Sequence, residues 1–512
     1  MNISIANFKP KLPIWCTLAL ATLMGGSCTI VNKPTRPNVL LIMVDDLRPA
    51  IGAYGDPIAI TPNLDKLAET GLLFEKAYCN QAVCGPSRYN LLLGSRSTSS
   101  GIYHFGRDFR DPYPDAITLP QYFKQHGYHT ESMGKVFHIG HGTYGDTASW
   151  SVPHHKDLVI EYADPASKRE GLTREEALFS NMEWGYSRSL PRGLAWESPD
   201  VADTAFADGR VAARAVDRLE ALKSVPNQPF FLAVGFARPH LPFSVPQKYW
   251  SLYDEEKLPL PAVTTRPEGA PPYAVKYGDE IDQYAPLPEK VTEAAFPDSL
   301  SRKLIHGYYA AVSYVDSQIG TVLDALATLD LDENTIVVLW GDHGYMLGEM
   351  GMWTKHVNYE LANRIPLIIA APGVARPGSR TAQLTETVDI YPTLVELAGL
   401  PDPRVQQPFD GLSMLPVLND PETRIRDHVY HCFPRSGRLG RAIRTDRYRL
   451  VEWRPIGDDT GPVEYELYDY KNGFMEVTNI VDEQPVVRDF LGEILARYPE
   501  ATPPRPASPA QK

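Results

Sequence analysis

The sequence predicts an α/β protein whose main sheet is buried between helices, with a small α+β subdomain near the C-terminal end. Two observations predict the main fold: short apolar runs stop at polar residues, and amphipathic segments of helical length lie between those runs. The third observation is a change to paired, strand-like segments from about residue 424. With 512 residues the chain is too long for one small core, which favours one large domain and a smaller companion.

The chain begins with a segment, 1–27, that is typical of a bacterial export signal. Lys9 and Lys11 precede an apolar run that is too short for a comfortable membrane span. The small residues before Cys28 are typical of a lipoprotein cleavage site, although Gly25 replaces the usual aliphatic residue. We therefore expect export to the periplasm or cell surface, and a lipid anchor on Cys28 stays open.

The first buried strand is predicted over residues 38–44, a continuous apolar run typical of a parallel sheet covered on both faces. The run stops at Asp45 and Asp46, which places two carboxylates at the carboxyl end of the strand, where open α/β sheets bind ligands. Adjacent acids at a strand end are also common turn residues. Beside a hard cation, however, the same carboxylates would be oxygen ligands.

Residues 84–88 read Cys-Gly-Pro-Ser-Arg and open a helix that is predicted to continue to residue 93. Gly85 lets the backbone bend and Pro86 fits the first helical turn, so Cys84 should lie at a helix N-terminus. An anion can be held at that position. A buried, unreactive thiol is the usual alternative for a lone cysteine.

Three further segments place polar residues after predicted strands. Lys135 and His138 follow a strand-like stretch that comes after a helix at 119–126, and a surface lysine and a packed histidine are the default alternatives. Strands predicted over 230–236 and 334–340 flank a long amphipathic helix at 304–326. The residues that follow these two strands are Arg238, Pro239 and His240 after the first, and Asp342, His343 and later Lys355 after the second.

Two long excursions, 140–205 and 251–299, are rich in Gly, Pro and charge and show weak periodicity. Long irregular loops in compact domains are often functional, so we expect them to cover the active-site face and select the substrate. The candidate sugar contacts in the first excursion are Tyr144, Trp150, His154, His155, Trp184 and Arg192.

The C-terminal region is predicted to be a separate subdomain, 421–502, after a main domain at 37–420. Segments 441–453 and 464–469 are interpreted as paired strands joined by a turn, and 486–498 as a closing helix. The Pro-rich tail, 503–512, is expected to be disordered.

Cys-x-Pro-Ser-Arg at 84–88, followed by Leu-x-x-Gly-x-Arg at 91–96, resembles the signature of type I, formylglycine-dependent sulfatases. The motifs around His240 and His343 resemble the iduronate-2-sulfatase-like branch, and the resemblance covers nearly all of 37–500. It implies an alkaline-phosphatase/sulfatase-like fold, a mixed and mostly parallel sheet sandwiched by helices. Lys135 and His138 would then point into the same cleft.

The resemblance also implies a sulfuric ester hydrolase that acts on a sulfated polysaccharide or oligosaccharide, such as a glycosaminoglycan or the algal glycan ulvan. Cys84 would be oxidised to Cα-formylglycine by a formylglycine-generating or an anaerobic sulfatase-maturating enzyme. One hydroxyl of the hydrated aldehyde would attack sulfur, favoured in its ionised form by Arg88. Elimination through the second hydroxyl, assisted by His138, would release the sulfate.

The implied metal ligands are Asp45, Asp46, Asp342, His343 and the modified Cys84. Two or three carboxylates favour Ca²⁺, with Mg²⁺ kept open. Lys135 and Lys355 would bind sulfate oxygens, and His240 or Lys355 would donate a proton to the leaving sugar oxygen. Exo-action in a pocket is expected rather than endo-action in a groove.

Two other functions stay open at this point. One is hydrolysis of phosphodiesters or phosphonate monoesters on the same fold. The other is a non-catalytic, glycan-binding lipoprotein.

The composition limits the partners and the cross-links. The formal net charge is −13 at pH 7, and about −15 when the two signal lysines are removed, which argues against nucleic-acid binding through a broad basic surface. Of five cysteines, only Cys79 and Cys432 could pair if Cys84 is modified, so there is no disulfide framework.

Overall fold

The structure is a computed structural model that describes residues 36–498, apart from 107, 144, 169–170, 294–295, 374–376 and 459. The predicted signal segment, Cys28, Tyr144 and the tail at 503–512 lie outside the described residues, so those interpretations stay predictions. The described residues belong to one compact unit, and the boundary predicted near residue 420 also stays a prediction.

A seven-stranded sheet forms the centre, with the strand order β11-β2-β10-β8-β1-β6-β4. Strands β8, β1, β6 and β4 run parallel, and β10 is antiparallel to both of its neighbours. The strands of this sheet are β1 (Asn38–Val44), β2 (Leu72–Phe74), β4 (His129–Gly134), β6 (Phe230–Phe236), β8 (Thr335–Gly341), β10 (Leu367–Ala370) and β11 (Ser379–Thr381). The mixed, mostly parallel sheet predicted from the apolar runs is confirmed.

Short strands form two small additional sheets, one of three strands and one of two. They are β3 (Ala77–Tyr78), β5 (Trp196–Glu197), β7 (Phe243–Ser244), β9 (Arg364–Ile365) and β12 (Thr385–Glu386).

Helices cover both faces of the central sheet, and two hydrophobic clusters fill the two layers between them. The longest helix, α9, contains the predicted amphipathic segment at 304–326 and begins earlier, directly after Pro297. The helices are α1 (Pro62–Thr70), α2 (Cys84–Leu93), α3 (Ser97–Ser100), α4 (Leu119–Gln125), α5 (Arg174–Phe179), α6 (Trp184–Ser189), α7 (Ala207–Lys223), α8 (Gln247–Trp250), α9 (Asp298–Thr328), α10 (Glu360–Asn363), α11 (Ile390–Leu397), α12 (Leu415–Asn419) and α13 (Pro485–Leu495). Within the described part of the chain, no helix has the length and apolar character needed to cross a bilayer.

The register of the parallel strands brings their carboxyl ends to one edge. Val44 pairs with both Phe236 and Gly341, so β1, β6 and β8 end side by side. Gly134 has a positive φ of 65°, and a Cβ there would collide with the carbonyl oxygen of Gly235. Glycine at that position lets β4 approach β6 closely enough to place the next residues at the same edge.

The C-terminal sheet has four antiparallel strands, β13 (His428–Arg435), β14 (Arg438–Thr445), β15 (Tyr448–Pro455) and β16 (Glu464–Asp469). Segment 441–453 is therefore two strands, and its interpretation as one strand was wrong. The turn contains neither glycine nor proline, and the hydroxyl of Thr445 closes it by accepting from the N–H of Tyr448 at 3.0 Å.

Candidate active site

Four of the predicted metal ligands lie together at the carboxyl edge of the central sheet. One donor atom each of Asp45, Cys84, Asp342 and His343 lies within 4.8 Å of the others, and all four residues are buried. The Sγ atom of Cys84 lies 3.2 Å from Nε2 of His343. Two carboxylates and an imidazole are donors that suit a divalent cation with oxygen and nitrogen ligands.

Asp46, the fifth predicted ligand, borders this group from the other side of His343. Its Oδ1 lies 3.4 Å from Nδ1 of His343. Both of its carboxylate oxygens accept from Lys355 Nζ, at 3.0 and 3.1 Å. The φ of Asp46 is 58°, which turns the chain directly after Asp45 and separates the two carboxylates. A direct role of Asp46 in metal binding stays a prediction.

Helix α2 presents Cys84 and Arg88 to the same centre. Cys84 is the first residue of the helix, as predicted, and Arg88 follows one turn later. The guanidinium of Arg88 donates to Asp342 Oδ2 at 3.0 Å and to Asp45 Oδ1 at 3.3 Å. Lys135 donates from Nζ to the other oxygen of Asp45. Two buried cations therefore orient the carboxylates and bring positive charge beside Cys84.

The carboxylates and the thiol differ in protonation. Burial alone would raise the pKa of Asp45, but Lys135 and the other nearby cations hold it well below its usual value. Burial and the charge of Asp45 raise the pKa of Asp342 to about 7. The same two causes raise the pKa of the Cys84 thiol well above its usual value. The unmodified thiol therefore stays protonated and is a weak nucleophile.

Glu280 joins the site, and sequence reasoning missed it. Its Oε1 lies 2.8 Å from His240 Nε2, and its Oε2 accepts from Lys355 Nζ. The other ring nitrogen of His240 faces the carbonyl oxygen of Leu241. Glu280 belongs to the excursion 251–299, and the only signal there was an acidic pair directly after a glycine.

Two aromatic rings cover His138. Phe105 stacks on its imidazole with centroids 4.5 Å apart, and Phe179 lies 5.9 Å from it and 5.3 Å from Lys135 Nζ. Nε2 of His138 lies 3.3 Å from Nδ1 of His141, and among the described residues its Nδ1 has no hydrogen-bond partner. Burial and the charge of Lys135 hold the pKa of His138 well below its usual value. The ring of His138 is therefore neutral.

The predicted sugar contacts have different outcomes. Trp150 packs in the core against Phe137, so its predicted sugar contact is wrong. Arg192 is partly buried and donates to main-chain carbonyls through one nitrogen, and its sugar contact stays a prediction. His154 is occupied by a 2.8 Å hydrogen bond to Ser132, and His155 lies 3.8 Å from a Glu131 oxygen. Trp184 is 52% exposed and stays a candidate.

Cys79 and Cys432 are both free, buried thiols, so the structure contains no disulfide between them.

Comparisons with known proteins identify the family of this chain. Residues 37–400 match the sequence pattern of the sulfatase family, and residues 348–496 match that of the C-terminal part of N-sulphoglucosamine sulphohydrolase. Iduronate 2-sulfatase of Mus musculus is 35% identical over 431 residues, which are 77% of this chain and 76% of that protein. A sulfatase of Formosa agariphila is 33% identical over 445 residues, 83% of this chain and 80% of its own. An ulvan-active sulfatase of the same organism is 29% identical over 431 residues, 81% of this chain and 73% of its own.

Solved structures agree on the fold. A phosphonate monoester hydrolase from Silicibacter pomeroyi has a TM-score of 0.71 at 22% identity and covers 91% of this chain and 96% of its own. A protein solved in complex with its substrate, D-glucosamine-2-N,6-O-disulfate, has a TM-score of 0.69 at 22% identity. It covers 90% of this chain and 97% of its own. The alkaline-phosphatase-like fold is thereby confirmed. Given the family pattern over 37–400 and these curated relatives, the chain is a sulfatase that belongs to the sulfatase family, in its iduronate 2-sulfatase-like branch.

Proposed function

We propose that this sulfatase removes a sulfate ester from a uronic-acid-containing polysaccharide or oligosaccharide, using formylglycine made from Cys84 and a bound Ca²⁺. The observation that carries the proposal is the buried group around Cys84, in which metal-type donors and sulfate-binding cations meet at the first turn of α2. The names of two relatives, an iduronate 2-sulfatase and an ulvan-active sulfatase, support the substrate class.

The residues present fit both the modification and the metal. The Sγ atom of Cys84 stands in for the oxygen atoms of the oxidised residue, and it already lies against His343. Asp45 and Asp342 would hold the cation with His343 because their oxygens are buried and already directed to one centre. When bound, a divalent cation would lower the pKa of a coordinated hydroxyl and neutralise charge on the sulfate.

The basic residues have separate tasks. Arg88 and Lys135 would orient the sulfate oxygens from the sides of Asp45 and Asp342. His240 or Lys355 would give a proton to the sugar oxygen as its bond to sulfur breaks. The neutral imidazole of His138 would take a proton as the free sulfate leaves and the aldehyde returns.

Peptide mass spectrometry tests the modification. Trypsin should release residues 77–88 as one peptide that contains both Cys79 and Cys84, so fragmentation has to localise the change. Protein made with a formylglycine-generating system should lose about 18 Da at Cys84, the difference between a thiol and an aldehyde side chain. Cys84→Ser should lower sulfate release by at least about a thousandfold, since serine lacks the second hydroxyl.

Cys79 in the same peptide is the internal control and should keep its thiol mass. An unmodified Cys84, under conditions that mature a control sulfatase, together with full sulfate release would contradict the proposed nucleophile.

Metal removal tests the cation. Chelation should lower sulfate release by at least about tenfold, and Ca²⁺ should restore it, since oxygen-rich sites favour hard cations. Asp342→Asn should weaken this restoration. Restoration by Zn²⁺ and by neither Ca²⁺ nor Mg²⁺ would overturn the assignment.

Phosphonate or phosphodiester hydrolysis is the second candidate, because a phosphonate monoester hydrolase shares the fold with a TM-score of 0.71. Sulfate and phosphonate esters should be assayed at matched enzyme concentration. A higher kcat/KM on the phosphonate would favour this second candidate.

A further inference from the structure

A basic cluster lies next to the catalytic pocket and has no part in the roles described above. It consists of Lys276, His356 and Arg435, with Asp279 between them. Lys276 belongs to the excursion 251–299, and Arg435 is the last residue of β13. The cluster therefore joins an excursion and the C-terminal sheet at the edge of the site.

The adjacent acids Asp279 and Glu280 contact the adjacent bases His356 and Lys355. Glu280 holds Lys355, while Asp279 holds Lys276 and also His356, whose Nδ1 lies 2.9 Å from its Oδ2. Consecutive Cα atoms are about 3.8 Å apart. The basic cluster therefore neighbours the Lys355 side of the pocket.

The basic cluster has unused binding capacity. Arg435 donates to the carbonyl oxygens of Val275, at 3.1 Å, and His356, and it forms no ion pair within the described residues. His356 is 7% exposed, and its Nε2 has no hydrogen-bond partner among the residues that the structure describes. Buried polar groups and charges are normally paired. In the neutral ring of His356, Nδ1 donates to Asp279, so the free Nε2 is an acceptor that suits a sugar hydroxyl. An anion from outside that binds Arg435 would supply the missing counter-ion of its guanidinium.

The charge of the basic cluster favours an anion. Lys276 and Arg435 are positive, Asp279 is negative, and burial lowers the pKa of His356 to about 4, which leaves that ring neutral. One positive charge therefore remains uncompensated. The Lys276 side chain is 33% exposed, so a ligand can reach the basic cluster from solvent.

We propose that the basic cluster binds the carboxylate of the same uronic acid that carries the sulfate ester, as a second anion subsite. This assignment rests on the proposed function. The planar guanidinium of Arg435 matches a carboxylate with two parallel hydrogen bonds. Because His356 directly follows Lys355 and Asp279 directly precedes Glu280, we assign the anion to the sugar ring that carries the sulfate.

Three small substrates distinguish a carboxylate from a second sulfate as the anion that the basic cluster binds. They are a methyl 2-O-sulfo-hexuronide, its carboxyl-reduced analogue, and the reduced analogue with a second sulfate at O6. The mature enzyme should prefer the hexuronide over the reduced analogue by about tenfold to a hundredfold in kcat/KM. Arg435→Gln should abolish this preference. It should leave kcat/KM on the reduced analogue within about twofold of the value for the parent enzyme.

Two variants provide rescue and an independent check. Arg435→Lys should keep part of the preference because it keeps the charge. Lys276→Gln should lower the preference for the hexuronide through a change in the excursion 251–299, with the C-terminal sheet left unaltered. Arg438→Gln is the matched control, since Arg438 begins the next strand and donates outside the basic cluster, to Pro462 at 2.9 Å. It should leave all three rates unchanged.

Equal losses on the hexuronide and the reduced analogue, or no loss on either, would overturn the subsite. A preference for the disulfated analogue that Arg435→Gln removes would also overturn it, because the ligand would then be a second sulfate. Hydrolysis of an aryl sulfate with none of the three sugars cleaved would overturn the proposed glycan substrate and this assignment together. Sugar hydrolysis with an unchanged preference would overturn the subsite alone.

Discussion

At the scale of single residues, the carboxylate of Glu280 contacts both candidate proton donors, His240 and Lys355. Each ring nitrogen of His240 faces an oxygen atom, Nδ1 the carbonyl of Leu241 and Nε2 the carboxylate of Glu280. Although burial would raise it, the pKa of Glu280 is held well below its usual value by His240 and Lys355. The carboxylate of Glu280 therefore stays ionised and lies between the His240 ring and the Lys355 ammonium beside the pocket.

His240→Ala tests which group protonates the leaving oxygen. A sugar alkoxide needs a proton to leave, whereas an activated phenolate does not, so the variant should lose about 10²–10⁴-fold on sugar sulfates and far less on aryl sulfates. His154→Ala is the control, because His154 bonds Ser132 outside the pocket. Rates of sulfate release on both substrate types provide the measurement, and equal losses would refute an acid role for His240.

At the scale of elements, the excursion 140–205 provides a cover for the pocket through α5. Thr173 caps this helix in a reciprocal pair with Glu176, and the N–H of His141 donates to the carbonyl oxygen of Leu178 at 2.9 Å. Phe179, the last residue of the helix, packs over Lys135, His138 and His240. The expectation that this excursion covers the active-site face is confirmed for α5.

Glu175 on α5 should make stability depend on pH. Burial and the charge of Glu280 raise its pKa to about 8, and its Oε2 has no hydrogen-bond partner among the described residues. The folded state therefore keeps a proton that the unfolded state loses above about pH 4.3. Stability should fall as pH rises from there towards 8, because the folded state binds more protons.

Glu175→Gln should remove this dependence and raise the free energy of unfolding at pH 8 by roughly 1 kcal/mol or more. Thermal unfolding between pH 5 and about 8.5 measures the effect. The exposed Glu183 offers a control as Glu183→Gln, which should leave the pH profile as it is. A Glu175→Gln profile parallel to that of the parent protein would refute the raised pKa.

At the scale of the whole molecule, buried ion pairs join the C-terminal sheet to the main sheet region. Glu360 on α10 accepts from Arg444 at 3.0 Å and from Arg449 at 2.8 Å, and Arg449 also donates to Glu476 at 2.6 Å. All four residues are buried. Removing one partner would leave a buried charge uncompensated.

Arg449→Met should therefore lower the free energy of unfolding by about 3–5 kcal/mol. The control is Arg447→Met, because Arg447 is exposed and its pair with Asp469 lies at the surface. That variant should leave the unfolding midpoint nearly unchanged. Similar midpoints for the two variants would show that the buried network does not stabilise the molecule.

The strands and their polar ends could be predicted from the sequence because their burial pattern is local. The bounds predicted for β1 and β6 agree with the structure, and β8 is displaced by one residue. Since parallel strands end at one edge, Asp45 and Asp342 were expected to meet, and they do. The position of Cys84 followed from the turn chemistry of the residues directly after it.

Only the tertiary structure decided which parts of the excursions reach the pocket. Glu280, Phe179 and Arg435 lie far apart in the chain and in segments without a motif, so no local pattern marks them. The turn between β14 and β15 was missed because it contains neither glycine nor proline, the residues that most strongly mark a turn. Local periodicity determined the central sheet and the metal-type donors, whereas long-range packing determined the neighbours of His240 and the basic cluster, because contacts between distant segments leave no periodic trace in either one.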